Sequence, residues 1–393
     1  MRLLNKLYTR FFTLLFRSGD IYDYYARLEY FDQYCESTAG HSPMDPQLRK
    51  SVYSIRLVPD YFKLALKDSS LRTKTISHYN WGYAIQMKGE NIDHYLEQQF
   101  KSKYRSIIRR YVNRLEACFP IQYKLFHGTI SSEEYRFIME TLHAMIVRRF
   151  GQRKETHKEL YQWNLILRDT YEQILAKKAS LFVIYDGNKP IEVSLNYHFE
   201  RILFSALSSY DIDYSKFGLG HVEIYKQVQW CIANDYLLFE MGVGGMDYKR
   251  RWCNLVYAYE HHVMYHQDSI SSLLYGQLEI FRVRIKEYLK SKKVNEMGYR
   301  LGIVLQNIFP GKGPVGPQYE LHKVEDIEAY TDKVAVSINE PGIPLKKKMV
   351  YDFLYSHTEN IGNVSLFRLG NQPGVFLISG QKNHARVVFP EPG

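Results

Sequence analysis

The chain has 393 residues, 45% hydrophobic and 24% charged, which excludes a disordered chain and supplies material for two domains or one elaborated domain. A formal net charge of +10 favours anionic partners (nucleotide phosphates, nucleic acid or anionic membrane surfaces) without choosing among them. No apolar run reaches the roughly 20 residues of a bilayer-crossing helix, and Cys35, Cys118, Cys231 and Cys253 show no C-x-x-C spacing, which suits reduced, unpaired thiols in a cytoplasm.

The first predicted element is a basic amphipathic helix over residues 1–20. MRLLNKLYTRFFTLLF puts Leu3, Leu4, Leu7, Phe11, Leu14 and Leu15 on one side and Arg2, Lys6, Arg10 and Arg17 near water. Arg10 interrupts the apolar part and no small-residue cleavage site follows, which argues against a signal peptide. Such a helix suits either an anionic membrane surface or the protein's own core. Residues 21–94 alternate tyrosine-rich segments with polar turns and are expected to form a sheet-containing half. Tyrosine, present 34 times in the chain, favours strands with one wet end.

A domain with a following amphipathic helix is expected over residues 95–308. FKSKYRSIIRRYVNRLEA, at 100–117, combines an apolar stripe of Tyr104, Ile107, Ile108, Tyr111 and Leu115 with a basic remainder of Lys101, Lys103, Arg105, Arg109, Arg110 and Arg114. That remainder is either a solvated face or a face for an anionic ligand. IQYKLFH (121–127) reads as a strand. Ser131 and Glu134 make a capping box for a helix carrying Tyr135, Ile138, Met139, Leu142 and Met145, and another helix runs around Trp163, Leu167, Tyr171 and Ile174.

SLFVIYD (180–186) and IEVSLNYHF (191–199) are β-rich runs separated by Gly187, Asn188, Lys189 and Pro190, a hairpin pattern, and ILFSALS (202–208) continues the sheet. SYDIDYSKFGLG (209–220) then leads into a helix in which Val222, Tyr225, Val228 and Ile232 recur at helical spacing. A strand ending in a glycine turn at a helix N-terminus exposes unpaired backbone N–H groups, and Gly218 and Gly220 let an anion approach them, so a pyrophosphate is the natural guest. LLFEMG (237–242) is a short apolar strand followed by VGGMDYKRRW, and LVYAYEHHVMYH (255–266) alternates like a strand. Residues 270–293 form a long amphipathic helix ending in lysines, FPGKGPVGP (309–317) marks a linker, and the tail to 393, with fragments such as YDFLYSH and GVFLISG, is expected as a small appended unit.

The stretch 215–220, read as Ser215, Lys216, Phe217, Gly218, Leu219 and Gly220, resembles the phosphate loop of the GNAT superfamily of acyltransferases: Gln or Arg, two residues, Gly, one residue, then Gly or Ala. Ser215 stands where that loop carries Gln or Arg. The basic helix at 100–117, the Tyr-Asp pair in SSYDIDYSKFGLG and the Tyr-Lys pair in MGVGGMDYKRRW are similar, in order, to the CelD-like and FemAB-like branch. The resemblance spans about residues 95–265. It implies an α/β fold, a GNAT-like mixed central sheet flanked by helices, and allows residues 21–94 to be a second, degenerate GNAT-like half.

The implied activity is N- or O-acyl transfer from acetyl-CoA, or another acyl-CoA, to an amine or hydroxyl of a cell-envelope glycan or precursor, in the cytoplasm or at the inner membrane face. A donor aminoacyl-tRNA, as in FemAB-like proteins, fits the basic helix equally, and so does a non-catalytic protein that binds membrane surfaces. Within the resemblance, Ala206, Ser208, Ser215, Lys216, Gly218, Leu219 and Gly220 would line the coenzyme, with backbone N–H groups near Ala206 and Ser208 polarising the thioester. Lys249 would meet phosphates as an exposed ammonium, Tyr248 would protonate the leaving thiolate, and Glu192 and Asp211 are candidate bases. An Asp in a loop also commonly bonds its own backbone. His261 and His262 are adjacent on a strand and face opposite ways, no matching His or Cys set accompanies them, and no G-x-S-x-G element is present, so neither a metal nor a serine hydrolase site is expected.

Overall fold

The structure, a computed structural model, describes residues 6–18, 20–36, 51–89, 91–152, 158–292, 319–340, 345–370, 372 and 374–389. The expected linker at 309–317 lies outside the described residues. In chain order the elements are β1 (Lys6–Arg10), β2 (Tyr25–Tyr30), β3 (Gln33–Glu36), β4 (Val52–Pro59), β5 (Phe62–Leu66), β6 (Leu71–Gln86), α1 (Ile92–Gln99), α2 (Ser102–Cys118), β7 (Ile121–Phe126), α3 (Ser132–Gly151) and α4 (Trp163–Leu175). There follow β8 (Ala179–Asp186), β9 (Lys189–Phe199), β10 (Ile202–Tyr210), α5 (Leu219–Ala233), β11 (Leu238–Val243), α6 (Asp247–Trp252), β12 (Leu255–His266) and α7 (Ile270–Ser291). Last come β13 (Glu320–Val324), β14 (Lys333–Val336), α8 (Lys346–His357), β15 (Ser365–Leu369), β16 (Val375–Ser379) and β17 (His384–Val388). They fall into two compact units, one made of Met1–Met87, Tyr197–Phe204 and Tyr236–Gly311, the other of Lys88–Asn196, Ser205–Asp235 and Lys312–Gly393.

In the first unit the expected helix over 1–20 is corrected. KLYTR alternates and carries Tyr8 and Thr9, which favour extended backbone, and it pairs in parallel with β4 from Lys6↔Val52 to Arg10↔Arg56. A short helical stretch, Thr13–Ser18, follows, with Phe11, Leu14, Leu15 and Phe16 buried. Phe12 and Phe16 stack on Phe204 with ring centroids 4.5 and 5.2 Å apart. These apolar side chains fill the protein's own core, while Leu3 and Leu4 of the expected helix lie outside the described residues. The sheet of this unit runs β1, β4, β12, β6, β11, with β10 adding to β11 in parallel over Ile202 to Phe204. A small sheet of β3, β2 and β5 completes it. Helix α7 lies on the large sheet through a core of Val52, Ile76, Val263, Tyr265, Ile280 and Val283. Gly276 permits that approach, since a side-chain carbon there would lie 2.7 Å from the Tyr265 ring.

In the second unit β10, β9, β8 and β7 are neighbours in that order, and the β8–β9 hairpin turns at Gly187 with φ 57°. β8 and β9 are buried almost end to end, the pattern of strands covered on both faces. The capping box forms as expected: Ser131 Oγ accepts the Glu134 N–H at 3.1 Å at the start of α3. Residues 319–389 do not stand apart. YDFLYSH is helical within α8, GVFLISG supplies β16, and the sheet β13-β17-β16-β15-β14 joins the unit through α8. Met349, Val350, Phe353 and Leu354 of α8 share one core with Leu115, Phe119, Phe217 and Val222, and Tyr351 lies 4.5 Å from Tyr214, ring to ring.

Candidate active site

The phosphate-loop stretch lies in the second unit. β10 ends at Tyr210, a 3-10 helix over Ile212–Phe217 follows, and α5 begins beyond Gly218. Tyr214 and Phe217 are fully buried and anchor this turn, Tyr214 donating its hydroxyl to Asp186 at 2.7 Å. Gly218 is left-handed, φ 62°, and a side-chain carbon there would sit 2.8 Å from the Tyr111 ring. Both constraints demand glycine. At Gly220, by contrast, an added carbon would meet no protein atom within 4 Å. No side chain caps α5, and within its first turn the His221 N–H donates to Gly218 O at 2.7 Å. His221 stacks on Tyr111 with centroids 5.7 Å apart and planes within 4°.

Beside this turn is a pocket of about 210 Å³ lined by Arg148, Arg149, Tyr210, Asp213, Ser215 and Lys348, among others. Ser215 lacks the charge that the resemblance expects there, but α3 brings two guanidinium groups to the same wall. The Arg149 guanidinium lies 4.7 Å from the centre of the Tyr210 ring. Lys216 points to Asp352 of α8, at 3.3 Å. Ala206 and Ser208 are half-buried on β10, and Leu219 is buried at the head of α5.

Glu192 and Asp211 share this unit but differ in state. Asp211 caps the 3-10 helix by accepting the Asp213 N–H at 3.1 Å and pairs with Lys189 at 2.5 Å and Arg148 at 2.8 Å. Burial alone would raise its pKa, but Lys189, the Asp213 N–H and Arg148 together hold it below the ordinary value. That carboxylate supports the turn and has no capacity left for a substrate proton. Glu192 is 1% exposed on β9, and neither carboxyl oxygen has a hydrogen-bond partner. Burial, with Glu223 nearby, pushes its pKa well above the ordinary carboxylate value.

Glu223 is the acid that sequence reasoning missed. It sits on α5 one turn before Gln227, whose Nε2 donates to it at 2.7 Å. Burial raises it to about 7, and hydrogen bonds with Ser194, Ser208 and Gln227 and the charge of Arg149 stop it rising further. Glu192, Ser194 and Asn196 alternate along β9, so they share one face, and Asn196 Nδ2 and Gln227 Oε1 are also unpartnered. The visible hint was a Glu set among Leu219, Val222, Ile224 and Val228, where a solvated helix face would not place it.

Tyr248 and Lys249 belong to the first unit, on α6. Tyr248 is half-buried. Lys249 corrects the expectation of an exposed ammonium: it is 7% exposed and donates to Met241 O at 2.5 Å and Val243 O at 3.2 Å. After Gly244 and Gly245 the chain turns straight into α6, which returns Lys249 to the carbonyls ending β11. Burial lowers its pKa, opposed by Glu240. Glu240 is itself buried at about 7, accepting from Tyr61 at 2.9 Å, Tyr257 at 2.6 Å and the Gly242 N–H at 2.7 Å. His261 and His262 bond Ser54 and Tyr25, respectively. Ser54 donates to Glu279 at 2.9 Å, so its proton is directed to a carboxylate and the trio is not a nucleophile with its base.

Residues 102–250, less than half of the chain, match the family model described as acetyltransferase (GNAT) domain. The chain therefore carries a GNAT-type domain in a mixed α/β fold. A search of curated proteins finds no match. Among solved structures, a conserved protein of unknown function from Bacteroides thetaiotaomicron is similar at 10% identity and TM-score 0.39, over 55% of this chain and 70% of that one. L-PGS from Bacillus licheniformis is similar at 10% identity and TM-score 0.37, over 62% and 73%. FemX is similar at 10% identity and TM-score 0.25, over 47% and 62%. These likenesses are too distant to carry an argument about substrate.

Proposed function

We propose that this protein transfers an acyl group, most simply acetyl, from coenzyme A to an amine or hydroxyl. The observation that carries the proposal is the glycine turn at the head of α5, where a side-chain carbon on Gly220 would meet no protein atom within 4 Å, in the same unit as the arginine-lined pocket at Ser215 and inside the stretch that matches the GNAT model. Backbone N–H groups at a helix N-terminus and nearby guanidinium groups suit a pyrophosphate. Gly220 clears its approach, and Arg149 and Lys348 are assigned the side-chain contact that Ser215 cannot make.

In acyl transfer the acceptor attacks the thioester carbonyl, loses a proton and releases a thiolate that gains one. Backbone N–H groups near Ala206 and Ser208 are assigned to the carbonyl oxygen. Glu223, raised to about 7, is able to take and return a proton at neutral pH, and Ser208 links it to β10. The acceptor is assigned to a cell-envelope glycan or precursor on the CelD-like and FemAB-like resemblance, and the reaction to the cytoplasm, where acyl-CoA is available.

A second reading, transfer from aminoacyl-tRNA, is favoured by the exposed Lys101, Lys103 and Arg110 at α2. Retention of acetyl-CoA and of an aminoacyl-tRNA by the purified chain separates the two. Saturable retention of acetyl-CoA is expected. Retention of the tRNA alone replaces the first reading by the second.

A further inference from the structure

We propose that the outer face of α7 docks the protein on an anionic lipid surface. The long amphipathic helix expected over 270–293 is observed as α7, Ile270–Ser291. The face toward the sheet buries Ser272, Gly276, Glu279, Ile280, Val283 and Glu287. The opposite face exposes Ile270, Leu274, Leu278, Phe281, Ile285 and Tyr288, the first by 81% and Phe281 by 64%. Steps of three and four residues align these in one stripe along 22 residues, about 33 Å of helix at 1.5 Å per residue.

Charge identifies the occupant. Both acids of the helix, Glu279 and Glu287, are turned inward, toward Ser54 at 2.9 Å and Lys290 at 2.6 Å. The exposed charges of α7 are Arg282, Arg284 and Lys286, with Lys292 at its C-cap. They flank the apolar stripe on either side. A second copy laid on the stripe would bring like charges together with no acid of α7 to answer them. An anionic bilayer answers both features: the stripe enters the interface while the basic rows meet lipid phosphates. This attachment is distinct from the N-terminal segment, where Phe11, Leu14, Leu15 and Phe16 are used in the core.

The test is co-sedimentation of the full chain with vesicles of phosphatidylcholine alone and of phosphatidylcholine mixed with phosphatidylglycerol, at low and high salt, beside light scattering without lipid. Two double variants are compared, Leu274→Gln with Phe281→Gln, and Arg282→Glu with Lys286→Glu. All four side chains are exposed, and unchanged melting curves establish that the variants fold. We expect binding to the phosphatidylglycerol vesicles only, weakened by salt, and at least about tenfold weaker in each variant, given the free energy per basic residue at such a surface. Absence of binding, equal binding to neutral vesicles, or binding unaltered in both variants overturns the proposal. So does a dimer in solution that Leu274→Gln with Phe281→Gln converts to monomer, because the stripe is then the contact between copies.

Discussion

Glu192 is a buried carboxyl with no partner for either oxygen, and its ionisation must oppose folding. The sign follows from proton linkage. Its folded pKa is raised well above the ordinary 4.5, so the folded chain binds more protons than the unfolded one, and the stabilisation present below pH 4.5 is lost as pH rises toward the folded value. Glu223 and Glu240, each raised to about 7, add to the same slope between pH 4.5 and 7. Glu192→Gln removes one ionisation while retaining the shape. We expect little change in melting temperature at acid pH and a higher melting temperature than wild type at about pH 8, with a flatter slope between. An unchanged slope in a pH series of thermal melts would show that Glu192 is solvated or paired. Glu192 could be named from the sequence because it breaks an apolar strand. Its lack of a partner could not, because that depends on which side chains α5 presents to β9.

Elements were legible where their periodicity is local. The β8–β9 hairpin, α3 with its cap and α5 follow from turn residues and helical spacing that a short window contains. β1 was misread because its apolar residues suit a helix equally well, and only pairing with β4, more than 40 residues away, decides. α6 misled in another way: Lys249 sits beside two glycines and reads as mobile and exposed, yet one helical turn folds it under β11. Lys249→Ala therefore acts on stability first. It leaves Met241 O and Val243 O without their donor, a loss of about 1–3 kcal/mol for buried groups. Chemical denaturation should show this decrease. Unaltered stability together with a large loss of acetyl-CoA affinity would return Lys249 to the phosphates.

Each compact unit is assembled from three separate stretches of chain, and that was the least legible property. Residues 319–389 looked like an addition because nothing local tells that α8 completes the core around Phe119 and Phe217. The same distant assembly supplies Lys348 and Arg148 to a pocket that also holds Ser215, so the departure at Ser215 looked more damaging in the sequence than it is in the fold. Gly220 gives the sharpest access to the proposed anion site. A side-chain carbon there meets no protein atom within 4 Å and valine is a better helix former than glycine, so the fold should survive while the space beside Gly220 is filled. Calorimetric titration of acetyl-CoA into wild type and Gly220→Val, with matching thermal melts, is the deciding measurement. The account predicts binding to wild type and a dissociation constant raised by more than about tenfold, or 1.4 kcal/mol, in a fully folded variant. Equal affinity in the two proteins, or no binding to wild type, would contradict it.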